Sequence, residues 1–466
     1  RSSQYTKPCN RTKNCAPITG NRRARGSPSF FNRLLAPPPS RDYRDRMKVH
    51  LLPFIAALWM TATWPLSLSG AELSWWKGNL HTHTMWSDGD DYPEQIAKWY
   101  KDQGYHFLAL SDHNTLQVGE RWVDVMKSRG GPPALQKYIA AWGKDWVQQR
   151  EEGGRQQVRL RTLEEFRKRL EEPNRFLMIQ SEEVTDRWKT APVHMNATNL
   201  RHKIAPQGGD NVYDVMQRNM NALLAQRKAT GQPMFLHLNH PNFGWGVTAE
   251  ELMRVKGERF FEVYNGHPSV RDLGDATHAS TERMWDIINT RRLTELKLGL
   301  LYGLAADDAH NYHGMAANRS NTGRGWVIVR AAKLDAASLV LAMEKGDFYS
   351  STGVTLKSLK QSSKEIDLTI QAAEGVQYTT QFIGTRRGYD ATHKPITLAN
   401  GTKLRVTHRY SAEVGQVLAT VKGPRARYVL QGDEIYVRAK IVSSTPQKNG
   451  TTPNARESAW LQPVTP

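Results

Sequence analysis

The sequence predicts an α/β protein: a parallel sheet or barrel with helices between its strands, followed by an antiparallel β domain. Three observations carry this. Apolar runs recur down to about residue 330, and several end in polar residues suited to metal ligation, as buried parallel strands with chemistry at their C-terminal ends would. Helical apolar spacing fills the gaps between those runs. Beyond about residue 354 the pattern changes to period-two alternation split by polar and Gly-rich turns.

Taken in order, the first strand ends in Asn79-Leu80-His81-Thr82-His83, and Ser87-Asp88-Gly89 marks a turn. Residues i and i+2 of a strand share a face, so His81 and His83 can address one point, and the turn can return the Asp88 carboxylate over them. Pro93 starts a helix in which Ile96, Trp99 and Tyr100 form the apolar face and Gly104 ends the segment. Phe107 to Leu110 then runs into Ser111-Asp112-His113-Asn114. Residues 116–174 exceed a simple connection and are rich in charge, which predicts amphipathic helices forming a lid.

Phe176 to Ile179 leads to Gln180-Ser181-Glu182-Glu183-Val184-Thr185, and Pro192-Val193-His194-Met195-Asn196 follows. Val212, Met216, Met220, Leu223 and Leu224 make a helical stripe closed by Gly231. Met234-Phe235-Leu236-His237-Leu238-Asn239-His240-Pro241-Asn242 is the next strand end. A helix over about Ala276 to Arg292 precedes Leu300 to Leu304, which leads to Ala306-Asp307-Asp308-Ala309-His310. A strand follows from Gly323 to Arg330, then a helix from Leu334 to Gly346. The C-terminal strands are placed at Ile366 to Ile370, Leu404 to Val406, Val417 to Val421 and Tyr436 to Val442. The expected boundaries are a barrel over 72–353 and a β-sandwich-like domain over 354–466, with a structural role.

The His-x-His with Ser-Asp-Gly, the Ser-Asp-His-Asn stretch, the Glu-Val-Thr end, His-Met-Asn, His-Pro-Asn and Asp-Ala-His span residues 79 to 310. Together they resemble the PHP (polymerase and histidinol phosphatase) superfamily of metal-dependent phosphoesterases. The resemblance implies a distorted (βα)7, TIM-like barrel with two or three metal ions at its C-terminal strand ends. It implies the ligands His81, His83, Asp88, His113, Glu183, His194, His240, Asp308 and His310. Adjacent Glu182 and Glu183 face opposite ways on a strand, and the Glu-Val-Thr match selects Glu183 as a bridging ligand. His240 is likewise selected over His237. His106, His278 and His313 read as satisfied or surface histidines, and His267, after the strand-like run to Tyr264-Asn265, as a pocket residue.

The chain has 466 residues, enough for a large core and an appended domain, and a formal charge of +19. That charge would suggest a nucleic-acid partner, but 11 of the 64 Lys and Arg and only 2 of the 45 acids lie in residues 1–46. No stable nucleic-acid complex is therefore expected. Residues 1–46 read as a disordered or mis-called leader and residues 47–71 as a cleaved signal peptide, so that a periplasmic or secreted protein without a membrane anchor is expected. Both cysteines, Cys9 and Cys15, lie in the leader.

Imidazole and carboxylate ligands suit Zn, Mn or Fe ions, and water bridging two such ions loses its proton near neutral pH. The expected activity is hydrolysis of a small-molecule or nucleotide-like phosphoester. Asp308 is the expected catalytic group, orienting or deprotonating that water, with His267 beside the substrate. Trp76-Lys77-Gly78-Asn79-Leu80-His81 and the β tail also resemble the carbamate and carboxylic-ester hydrolases of the same superfamily, a second expectation. A non-catalytic metal-bound module is a third, against which the complete ligand set argues. Sequencing the N-terminus of native protein should find it near Glu72; an intact Met47 terminus on a cytoplasmic protein would refute export.

Overall fold

The apolar runs form strands close to where their composition places them. The computed structural model describes residues 72–466, so the leader and the signal segment lie outside the described residues. The strands are β1 (Ser74–Asn79), β2 (Phe107–Leu110), β3 (Leu177–Trp188), β4 (Ala191–Thr198), β5 (Phe235–Leu238), β6 (Phe260–Asn265) and β7 (Tyr302–Ala306). Next come β8 (Trp326–Ala331) and β9 (Phe348–Ser351). One large sheet runs β7-β6-β5-β4-β3-β2-β1-β8-β9 and continues through the C-terminal strands.

The sheet is mixed, which corrects the expectation of a parallel one. β1, β2 and β3 are parallel neighbours, as are β5, β6 and β7, but β4 is antiparallel to both β3 and β5. The cause is local. Trp188 pairs with Ala191, leaving only Lys189 and Thr190 between the strands, with Lys189 at φ +54°. So short a loop closes a hairpin and cannot carry the crossover that parallel strands require. Past the ends of β1 and β7, Thr82 and Ala309 form a parallel bridge, with His83 N donating to Ala309 O at 3.0 Å and Asp308 N to His81 O at 3.1 Å. The first and seventh strands thus meet at the end that carries the histidines. Farther down, Ser350 Oγ donates to Gly303 O at 2.8 Å and Gly303 N to the Gln462 side chain at 2.9 Å.

Helices pack against these strands. Pro93–Asp102 and Val212–Thr230 start and stop near their expected limits, the second closed by Gly231 at φ +67°. The third expected helix is Thr281–Arg291, starting later than the periodicity suggested, because Ser280 caps it and Asp275 holds Thr277 and His278 in a preceding turn. No helix among the described residues is long and apolar enough to cross a membrane.

The insertion is only half helical. Helices Gly131–Trp142 and Leu163–Leu170 are present, but strands Arg121–Asp124, Gln149–Glu152 and Arg155–Leu160 form a three-stranded antiparallel sheet. Gly153 and Gly154, at φ +60° and +70°, supply the tight turn between the last two strands.

At the C-terminal end, Glu434–Pro446 and Arg456–Val464 extend the main sheet with Tyr378–Arg386 and Gln416–Lys422. Leu356–Gln361, Glu365–Ile370 and Arg425–Val429 form a separate sheet over a core that includes Ile366, Leu368, Phe382, Val437 and Ile441. Leu404 to Val406 is not a strand. Arg405 instead bonds Gly246 O, Trp245 O and Glu251, tying the segment to the loops after β5.

A buried ion pair joins these strands to the helices. Arg438 donates to Asp286 at 2.7 and 2.8 Å, and Tyr436 OH donates to the same carboxylate at 2.8 Å. Asp286→Ala would leave the guanidinium buried without this partner, so it should cost about 3–5 kcal/mol in urea unfolding. A loss below 1 kcal/mol would show that the pair is dispensable.

Candidate metal centre

Six of the seven strands, or the segments that follow them, contribute to a single cluster. His81 and His83 follow β1 and His113 follows β2. Glu183 lies within β3, His240 follows β5, and Asp308 and His310 follow β7. His194 comes from the first half of β4, which its antiparallel run places at the same end; it pairs with Thr185, as Asn196 does with Glu183.

The donor atoms form three overlapping groups: His83, Asp88, His113 and His310; His81, Glu183 and His240; and His81, His83 and Asp308. Within each group one donor atom per residue lies within 4.8 Å of all the others. His194 joins through its Nδ1, 3.0 Å from Glu183 Oε1. Glu183 is the hub. Its Oε2 lies 2.7 Å from His113 Nδ1 and 3.3 Å from His83 Nε2, while its Oε1 accepts from Asn239 Nδ2 at 2.9 Å.

The electrostatics are those of a cation site. Burial alone would raise the Glu183 carboxyl, but His113, His194 and His81 hold it well below the usual range. Asp308 is held low against its burial by His81, His83 and His310. Burial, with His310 and His113 beside it, pushes His83 down to about 3, so that its ring is neutral. His113, against the effect of burial, is raised to about 9 by Glu183 and Asp88. Protons on such histidines occupy the electrostatic role of a cation, and metal loading would displace them.

Metal fit is supported by buried cluster atoms that lie close to imidazole or carboxylate partners yet make no aligned hydrogen bond: Asp88 Oδ1, Glu183 Oε2 and His194 Nδ1. Such atoms are costly unless something coordinates them. Two residues of the cluster, His240 at φ +20° and Asp308 at φ +49°, also hold positive φ, uncommon for non-glycine residues.

Residues that the sequence reading passed over shape the cluster. Glu262, a lone acid in the apolar run of β6, accepts from His81 Nδ1 at 2.7 Å, from His240 N at 2.8 Å and from Asn265 Nδ2 at 2.7 Å. That bond fixes the His81 ring with Nε2 toward the cluster. Asp112 accepts from Thr84 N, Ser87 Oγ and Gln117 Nε2 at 2.6 to 2.8 Å and so holds the loop leading to Asp88. Arg129, from the insertion, lies 3.2 Å from Asp88 Oδ2. An acid inside an apolar run was a legible signal for Glu262; nothing in the insertion distinguished Arg129.

Glu182 points away from the cluster and is fully buried, accepting from Ile204 N. His237 is buried, 3.5 Å from Glu262, outside the donor groups. His106 Nδ1 accepts from Lys77 N, His278 stacks on Trp245, and His313 donates to Asp90 O. His267 lines the open cavity of about 230 Å³ over the cluster, with Arg129, Phe243 and Ser320.

No known family model and no curated protein matches the chain. Among solved structures it is similar to a two-domain protein from Bacteroides vulgatus described as containing a predicted PHP-like metal-dependent phosphoesterase, at 14% identity over 84% of this chain and 95% of that one, with a TM-score of 0.34. It is also similar to a candidate metal-dependent phosphoesterase from Bifidobacterium adolescentis, at 13% identity over 53% of this chain and 92% of that one, with a TM-score of 0.26. A third is an amidohydrolase from Chromobacterium violaceum, at 13% identity over 50% of this chain and 87% of that one, with a TM-score of 0.24.

Glu262→Gln keeps the shape of the side chain but weakens its hold on His81. Metal affinity, measured by competition with a chelator, should fall about 10- to 100-fold. Unchanged affinity would show that His81 needs no such support.

Proposed function

We propose that this chain is a metal-dependent hydrolase of the PHP type, acting on phosphoesters of small or nucleotide-like molecules. The convergence of His81, His83, Asp88, His113, Glu183, His194, His240, Asp308 and His310 beneath one open cavity carries the reading. In it, the ring of strands from β1 to β7 is the distorted (βα)7 barrel, and a periplasmic or secreted location follows from the export reading of residues 47–71. Arg129 on the cavity wall favours an anionic phosphoester over a neutral ester or carbamate.

The cluster would hold two or three divalent ions, Zn, Mn or Fe by the nitrogen and oxygen character of its donors. His83, Asp88, His113 and His310 would hold one, His81 and His240 another, and Glu183 would be shared between them. When bound, such ions neutralise phosphoryl charge and lower the pKa of water toward neutrality.

The protein supplies position and proton handling. Asp308 Oδ1 stands 3.2 and 3.3 Å from the Nε2 atoms of His81 and His83, and Asn265 Nδ2 donates to its Oδ2 at 3.2 Å. That carboxylate is placed to orient water in the cluster and to accept its proton. His267 Nδ1 accepts from Ser269 N at 3.1 Å, which fixes the ring at the cavity rim to meet the substrate. Arg129 is placed to bind phosphoryl oxygens through its guanidinium.

Two measurements test this. Elemental analysis after reconstitution with Zn, Mn or Fe should find at least two equivalents, since the donors exceed what one ion uses; less than one would sink the reading. Asp308→Asn keeps size and tolerance of positive φ but loses the negative charge. It should lower turnover on the order of 100-fold or more, with little change in melting temperature, on the best substrate from a screen of phosphomonoesters, phosphodiesters and aryl esters. His267→Ala should mainly raise KM. Near wild-type turnover by a fully metallated Asp308→Asn protein would remove Asp308 from the catalytic role.

A further inference from the structure

Beside the ligand-lined cavity lies a second groove of about 420 Å³, and the two share Asp88 and Arg129. Its outer wall is the inserted sheet: Arg121, in the strand Arg121–Asp124, and the turn that carries Lys127 and Arg129. Its inner wall is the loop that follows His83, including Met85 and Ser87. The groove therefore opens onto the site where the phosphoester would react.

The turn is fixed. Asp124 Oδ1 accepts from Met126 N and Lys127 N at 3.0 and 3.3 Å, Ser128 Oγ donates to Val125 O at 2.9 Å, and Gly131 N donates to Ser128 Oγ at 3.1 Å. A Cβ on Gly130 would stand 2.1 Å from Asp90 O, so the turn is pressed directly against the loop that bears Asp88. The carboxylates of the groove are already engaged, Asp124 by this turn and Asp88 by His310, His113 and Arg129. Arg121 lies over the Trp86 ring at 5.7 Å, and neither it nor Lys127 forms an ion pair among the described residues. Arg121 and Lys127, unpaired among the described residues and facing a groove that joins a reaction site, can recognise an anion, and Arg129 can do so beside its contact with Asp88.

We propose that this groove is a subsite for a second anionic group of the substrate, so that preferred substrates carry two negatively charged groups on a short linker. One group would lie over the ligand cluster and the other between Arg121, Lys127 and Arg129. The inference rests on the phosphoester reading above and adds the substrate class to it.

The test titrates the metal-loaded full chain by calorimetry with ethylphosphonate and with ω-carboxyalkylphosphonates of increasing linker length. The phosphonate is common to all, and only the tethered carboxylate differs. At least one tethered ligand should bind about 10-fold more tightly than ethylphosphonate, an advantage that added salt diminishes. In the Arg121→Gln/Lys127→Gln double variant the ratio of the two affinities should fall toward one. Ethylphosphonate binding with no gain from any tether, or a gain that survives in the double variant, overturns the groove and leaves the phosphoester reading standing. Failure of every phosphonate to bind overturns both.

Discussion

The structure turns on a carboxylate with no access to water. Glu183 sits within a sheet, and an isolated buried carboxylate is too costly to keep charged. It is kept charged by imidazoles on four separate segments and by the Asn239 amide, so each strand end that reaches it is held to a position. The bridge between Thr82 and Ala309 and the parallel bridge between His113 and Glu183 are the backbone side of the same constraint. The segments that converge on Glu183 are the ones whose backbones meet there.

A second layer of buried acids anchors what the first layer requires. Asp307 accepts from the Tyr100 hydroxyl at 2.7 Å and from the backbone amides of Gly323, Arg324 and Gly325 at 2.6 to 2.9 Å. Its neighbour Asp308 faces the cluster, so one pair of adjacent acids divides the work, one fastening the chain and one facing the chemistry. Glu182 and Glu183 divide it in the same way, Glu182 holding Ile204 N on the far face. In the glutamate pair the alternation of side chains along a strand separates the two tasks, whereas in the aspartate pair Asp308, at φ +49°, lies beyond the end of β7 in non-extended backbone.

Much of the cluster was legible because its donors sit in short motifs at the ends of apolar runs, and strand alternation alone showed that Glu182 and Glu183 cannot both face inward. The strand positions were legible for the same reason. The direction of β4 was not read, because periodicity reports which face a residue occupies and says nothing of which way the strand runs; only the two-residue link at Lys189 and Thr190 carried that. The Gly153-Gly154 turn was likewise a sheet signal inside a segment whose charge suggested helices. Arg129 was illegible for a different reason: its nearness to Asp88 arises from folding the insertion back over a loop some forty residues earlier, and no local pattern encodes such a contact.

The hairpin of β3 and β4 also divides the cluster mechanically. Glu183 and His194 are locked to each other by cross-strand register, so their separation is set by backbone pairing, and a one-residue change in the Lys189-Thr190 link would turn His194 to the opposite face. Asp88 and His310 sit on loops outside the strand ladder, placed instead by turn and side-chain bonds such as Ser87 Oγ to Asp112 and His310 N to Ser320 O. The centre therefore has one half set by strand register and one half set by loop contacts.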